Sequence, residues 1–298
     1  MKVTRGRKIA TYICYVLIAL WVLGPIYWIL NTSLHIEPEM LSKFPPLVPS
    51  NPTLSNYSFI FNVEAVMRER LEKGLATFFL PTIAASLPVA IRNSAIIGVV
   101  VMVLNLIFGP FAAYTFQRIR FRGSYSLFLS TVLTRLMPGI AIILPLYAVM
   151  KMLNLLDTYL AVIIVHSMFT IPLSLWISYS FLEGQPLEIE EAALIDGYSR
   201  FEVYSKVVFP IMKGAMVAVG LFSFMLSYSE FLFAFLLTQT DASRTVPVIV
   251  AAMGANPVMP RTIMASAGTI AMLLPVVVFI LMRRYIIRGL TAGVVVGR

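Results

Sequence analysis

Long uncharged runs separated by short charged segments set the pattern of this chain. Residues 9–30, 94–116 and 262–282 contain no Asp, Glu, Lys or Arg. Residues 158–182 carry His166 but no charged side chain, 124–150 are interrupted only by Arg135, and 214–238 only by Glu230. Each run is close to the ~20 residues by which an α-helix crosses the hydrocarbon core of a bilayer. The pattern predicts an all-α, polytopic membrane bundle of six transmembrane helices, with residues 1–298 forming one domain. Pro138, Pro145, Pro172 and Pro275 fall inside these runs. Prolines there kink a helix, and neighbouring helices satisfy the freed backbone groups.

Residues 74–91 form a seventh uncharged stretch, containing Pro81 and Pro88 and separated from the next run only by Arg92 and Asn93. Two spans cannot reverse through so short a turn. The stretch is therefore read as an interfacial or packed part of an extracytoplasmic segment, 31–92.

Composition agrees with a membrane protein: 59% apolar, 12% charged, and a mean hydropathy of +0.87. The distribution of basic residues then orients it. With six spans and the N-terminus inside, the inner segments hold Lys2, Arg5, Arg7 and Lys8, then Arg118, Arg120 and Arg122. They also hold Arg200, Lys206 and Lys213, and finally Arg283, Arg284, Arg288 and Arg298, whereas the short outer loops hold only Lys151, Arg244 and Arg261. That asymmetry follows the positive-inside rule and places both termini in the cytoplasm. The net charge of +9 is thus a mark of topology, not of a nucleic-acid surface. The first run is too long for the apolar region of a signal peptide and reads as a span.

Several chemistries lack their residues. The single Cys14 allows no intramolecular disulfide, and His35 and His166 have no metal-ligand spacing. No G-x-x-x-x-G-K-[ST] or G-x-S-x-G stretch occurs, and no internal repeat is visible. The chain should hold no metal and no cofactor of its own, and no catalytic residue is assigned.

One segment is out of character. Residues 183–202 gather six of the 14 acidic residues: Glu183, Glu188, Glu190, Glu191, Asp196 and Glu202. Locally it reads as two short helices around a hinge. Pro186 suits a helix start, where the positive end of the helix dipole favours the glutamates. Asp196-Gly197 stops that helix, and Ser199-Arg-Phe-Glu202 has the form of a capping box that opens a second one near Arg200. The paired alanines Ala192 and Ala193 leave a bare patch, and Phe201, Tyr204 and Val208 form an apolar stripe at helical spacing. Two readings stand: a hairpin packed under its own bundle, or a docking element.

The same stretch resembles the cytoplasmic loop motif of ABC importer permeases, Glu-Ala-Ala, three residues, Gly, nine residues, then Ile-x-Leu-Pro. Here Glu191-Ala192-Ala193, Gly197 and Pro210 are identities, with Val207 and Phe209 at the other closing positions. Further pieces look like the carbohydrate-importer branch: Asn31-Thr-Ser-Leu34, Asn51-Pro-Thr-Leu-Ser-Asn-Tyr57, Thr134-Arg-Leu-Met-Pro138, Pro145-Leu-Tyr147 and Arg288-Gly-Leu-Thr-Ala-Gly293. Among its subunits they are most similar to the second, smaller maltose-type permease. The resemblance implies a coupling loop between the fourth and fifth spans, with Glu190, Glu191, Ala192, Ala193, Asp196, Gly197 and Pro210 serving attachment to an ATPase. It further implies a second, different permease subunit, a dimeric ABC ATPase that binds ATP and Mg, and an extracytoplasmic solute-binding protein. The setting implied is a bacterial or archaeal cytoplasmic membrane. A stand-alone secondary carrier is the rival reading, and an intramembrane lipid-modifying enzyme a third.

Arg135 and Glu230 are the costly residues, since a charge at mid-bilayer costs about 2.5–3.5 kcal/mol on insertion scales. With Tyr147 they are candidates for the translocation path; the competing reading makes Arg135 and Glu230 a structural ion pair or helix-end snorkels. His166 has no acidic neighbour at helical spacing and is expected to pack with a hydrogen bond.

Overall fold

The computed structural model describes residues 5–72, 82–119 and 121–292. Lys2, Arg120, Gly293 and Arg298, and most of the first half of the 74–91 stretch, lie outside them. All regular structure among the described residues is helical. The principal helices are α1 (Arg5–Ser33), α2 (Leu87–Arg118), α3 (Ser124–Leu133), α4 (Gly139–Met152), α5 (Tyr159–Glu183) and α6 (Glu188–Ile195). They continue with α7 (Lys213–Tyr228), α8 (Leu232–Leu237), α9 (Val246–Ala255) and α10 (Arg261–Ala292).

Among the described residues, four helices are long and apolar enough to cross a membrane: Thr11–Ser33, Ile83–Arg118, Tyr159–Glu183 and Arg261–Arg283. The count becomes six if two bent pairs, one at 99° and one at 79°, are each a single span. The sharper bend joins α3 to α4, inside the run read as one helix from 124 to 150. Pro138 disfavours helical geometry in the residue before it. Met137 accordingly turns extended, with ψ of 125°, after a 3₁₀ turn at Thr134–Leu136. Pro145, Pro172 and Pro275 lie inside α4, α5 and α10 without ending them.

Two other expectations shift. The run 214–238 is broken: α7 ends at Tyr228 and α8 starts at Leu232, with Glu230 in the gap. The second half of the 74–91 stretch does not stand apart from the next span, because Thr82–Ser86 is a 3₁₀ turn that leads into α2. Pro88 is the second residue of α2, where a missing N–H costs nothing.

The chain divides into two compact units, residues 1–88 with 249–273, and residues 89–248 with 274–298. In the first unit, two of the short sequence pieces meet. Asn56 donates to the carbonyls of Ser33 at 2.9 Å and His35 at 2.8 Å, and Thr53 N–H donates to Leu34 O at 2.9 Å. Glu37 accepts from the Arg261 and Thr262 N–H groups, each at 3.0 Å, and so caps α10. In the second unit, α2 and α5 approach closely. A Cβ at Gly109 would fall 1.8 Å from Ser174 Oγ. Beside it Asn105 donates to Thr170 Oγ1, and Ser174 Oγ donates to Asn105 O, each at 2.8 Å. Small residues with interhelical hydrogen bonds are the packing chemistry available where lipid removes the hydrophobic drive.

Candidate functional site

The acidic loop folds as two short helices around a turn. Glu188, Glu190 and Glu191 occupy the first turn of α6, which starts two residues after Pro186. Its end is a Schellman motif: Tyr198 N–H donates to Ala193 O and Gly197 N–H to Leu194 O, each at 3.1 Å, with Gly197 at φ +90°. Ser199 and Glu202 then form the full capping box. The exposed Glu202 carboxyl is held down at about 2 by the Lys206 ammonium and by the Ser199 N–H and hydroxyl. Val203–Val208 is a π-helix, which absorbs the missing N–H of Pro210 and the clash of its ring with the preceding turn.

The buried face differs in part from the expected stripe. Val203, Tyr204 and Val208 are buried while Phe201 is 67% exposed, so the stripe expected from helical spacing loses its first member. The paired alanines also separate. Ala193 is buried in a cluster with Tyr114, Leu182, Val203, Tyr204 and Val208, whereas Ala192 is exposed. Rings secure this packing: Tyr204 lies 5.4 Å from Phe111 and 5.3 Å from Tyr114, centroid to centroid. The bare patch is therefore half internal.

The acids separate likewise. Glu190 points inward, with Oε1 accepting from Arg118 Nε at 2.8 Å, and the two side chains are 6% and 5% exposed. Arg118 Nη2 also donates to Leu182 O at 2.9 Å and Gln185 O at 3.3 Å, at the end of α5. A cation there also favours the negative end of the helix dipole. Removing either partner would strand a buried charge at about 3–5 kcal/mol. Nothing in the sequence marked Arg118 beyond its place among inner basic residues. Outward-facing are Glu188, Glu191, Ala192 and Asp196, with Ile195 86% exposed beside the turn. Pro210 lies at the end of the loop, half-buried.

A second polar site lies within the apolar runs. His166, buried on α5, sets Nε2 at 3.0 Å from Glu230 Oε2 and Nδ1 at 2.9 Å from Ser227 Oγ. The Glu230 carboxylate also accepts the N–H groups of Phe233 and Ala234 at 3.0 Å each, capping α8. His166 thus makes the hydrogen bond expected of it, to an acid that comes not from helical spacing but from the break between α7 and α8, 64 residues away. Arg135, exposed, lines the same cavity of about 120 Å³ with Glu230, His166, Thr170 and Ser227. Among the described residues Arg135 and Glu230 are not paired with each other; the histidine takes that place. Tyr147 is elsewhere, packed against the cluster of Ile97, Val162 and Val165.

Known proteins match this arrangement along nearly its whole length. The trehalose transport system permease protein SugB of Mycobacterium tuberculosis is 29% identical over 98% of this chain and 100% of that protein. The trehalose/maltose transport system permease protein MalG of Thermococcus litoralis is 30% identical over 98% of each. The fold is shared with a chain from a crystal structure of a bacterial ABC transporter involved in the import of the acidic polysaccharide alginate. The TM-score is 0.74 at 19% identity, covering 96% of this chain and 99% of that one. Residues 105–292 match the family described as the binding-protein-dependent transport system inner membrane component. The chain belongs to that family of inner-membrane permeases.

Proposed function

We propose that this chain is one of two different permease subunits of an importer for a carbohydrate, meaning a sugar, oligosaccharide, polyol or sugar-phosphate-like solute. Family membership makes it a non-catalytic membrane subunit, with ATP hydrolysis left to a separate ATPase; a stand-alone carrier falls by the same finding. The class of solute is drawn from relatives named for trehalose and maltose transport that align end to end with it. A solute-binding protein delivers the carbohydrate, and ATP with Mg²⁺ is bound by a dimeric partner ATPase. Closure of that dimer is passed to the spans through the loop from Glu183 to Pro210.

One observation carries the coupling role. The loop is anchored internally by Glu190, Ala193, Tyr204 and Val208, yet presents Ile195 and Phe201 on either side of Gly197, beside Glu191, Ala192 and Asp196. Two exposed apolar side chains rimmed by acids, outside the lipid-facing runs, fit a protein partner with a basic rim. Of the path candidates, Glu230 and Tyr147 are assigned to the framework. Arg135, on the rim of the polar cavity, remains the group placed to meet solute hydroxyls.

The test is the whole transporter in proteoliposomes. Carbohydrate-loaded binding protein should raise ATP hydrolysis, and amino-acid or metal-ion loads should not. Ile195→Asp should insert normally and fail to retain the ATPase through affinity purification. Full retention with normal stimulation would refute docking through this face.

A further inference from the structure

We propose that Arg118 is a positioning residue for coupling: it locks α6 to the ends of α2 and α5, so that a push on the docking face moves both spans as one body. The inference rests on the docking role of the loop given above. Three elements meet at one guanidinium. Arg118 is the last residue of α2, its Nε reaches Glu190 on α6 at 2.8 Å, and its Nη2 reaches Leu182 O at 2.9 Å and Gln185 O at 3.3 Å.

Exposed ion pairs transmit little, because two solvated side chains can move apart at small cost. This pair is different: its side chains are 5% and 6% exposed, and separation would leave charges and carbonyls without partners in a buried site. The fork geometry of the guanidinium also fixes direction, which a lysine's single ammonium does not. Gly197, the loop's left-handed residue, follows α6 on the far side from the chain entering from α5. The second half of the loop has its own hold on α2 through Tyr204.

The experiment uses the complete transporter with Cys14→Ser. Arg118→Cys with Glu190→Cys removes the tie without leaving a lone buried charge, and both positions line a cavity of about 560 Å³ that admits a reagent. In the unbridged double variant the stimulation of hydrolysis by solute, taken over that variant's own unstimulated rate, should fall at least about fivefold. Joining the two thiols with a short bis-methanethiosulfonate should restore stimulation. Full stimulation without the bridge, or no recovery with it, overturns the proposal. Arg118→Lys, which keeps the charge but not the fork, guards against an assembly defect. It should assemble and show reduced stimulation, and wild-type stimulation in it is equally fatal. If Ile195→Asp retains the ATPase, the docking reading fails; if the Arg118 variants stay fully coupled while Ile195→Asp loses the ATPase, only the lock fails.

Discussion

Glu190 and Glu230 each meet a basic side chain from another helix, Arg118 at 2.8 Å and His166 at 3.0 Å. Their remaining oxygens differ. Both oxygens of Glu230 are spent on holding a broken helix together: Oε1 takes Phe233 N–H, and Oε2 takes Ala234 N–H and His166. Glu190 commits Oε1 to Arg118, and its Oε2 has no hydrogen bond among the described residues. The first carboxylate substitutes for missing backbone continuity within a span. The second joins separate elements at the edge of the bundle. A charge in a membrane protein is thus not functional by location alone; what its lone pairs hold decides.

The largest expected effect is at Glu230. Glu230→Ala leaves two backbone N–H groups and His166 without an acceptor, at about 1–3 kcal/mol for each unsatisfied group. Yield of assembled complex and its thermal midpoint should drop, while apparent solute affinity of what assembles stays unchanged. Glu190→Gln keeps an acceptor for Arg118 but leaves that buried charge uncompensated, so it too should lower assembly. An altered solute preference in assembled Glu230→Ala would move this residue from framework to path and collapse the contrast.

The contrast also shows where reading the sequence reached and where it stopped. Uncharged runs located the four long apolar helices because bilayer thickness sets a length that sequence alone displays. Gly197 and the Ser199–Glu202 box were legible for the same kind of reason: caps and turns depend on residues three or four apart. The break at Glu230 was not, since a half-buried carboxylate capping α8 looks like any isolated charge until His166 arrives from α5. Arg118 was hidden because positive-inside bias already explained a basic residue there. The split between Ala192 and Ala193 depended on which side of α6 the second half of the loop packs against, which residue spacing within α6 does not show.

That split gives the next effect in size. Ala193→Trp overfills the cluster around Tyr204 and Val208 and should cost about 1–3 kcal/mol, read as lower assembly. Ala192→Trp, on the exposed side of the same helix, should assemble normally and lose ATPase retention. Equal behaviour of the two variants would mean that α6 has no distinct inner and outer faces.

Gly197→Val comes third. Nothing lies within 4 Å of a Cβ at this position, so the strain is purely that of φ at +90°, about 1–2 kcal/mol for a β-branched residue. The variant should insert, retain α6 on Arg118, and redirect the second half of the loop. Stimulated hydrolysis should fall more than thermal stability does, and Gly197→Asn should recover part of it. A variant that loses assembly and stimulation together would make the turn a folding element only.

The smallest effect comes from a third carboxylate, Asp157, in the short loop between α4 and α5. It accepts from the Gln239 and Thr240 N–H groups at 2.8 and 2.9 Å, from Thr240 Oγ1 at 2.7 Å, and from the Ser243 hydroxyl. Burial acts to raise its pKa, but these donors prevail and bring it from 3.8 to about 2. A depressed carboxylate stabilises the folded state above its ordinary pKa and loses that contribution as pH falls through the folded value. The window therefore opens near pH 4 and closes near pH 2. Asp157→Asn removes the charge while tolerating the left-handed backbone, here at φ 62°. The difference in thermal midpoint between the parent and Asp157→Asn should be steady above about pH 4 and vanish toward pH 2. A difference that persists unchanged to pH 2 would show that the loop is held by hydrogen-bond geometry and not by charge. Asp157 would then resemble Glu230, whose work lies in the backbone groups it satisfies.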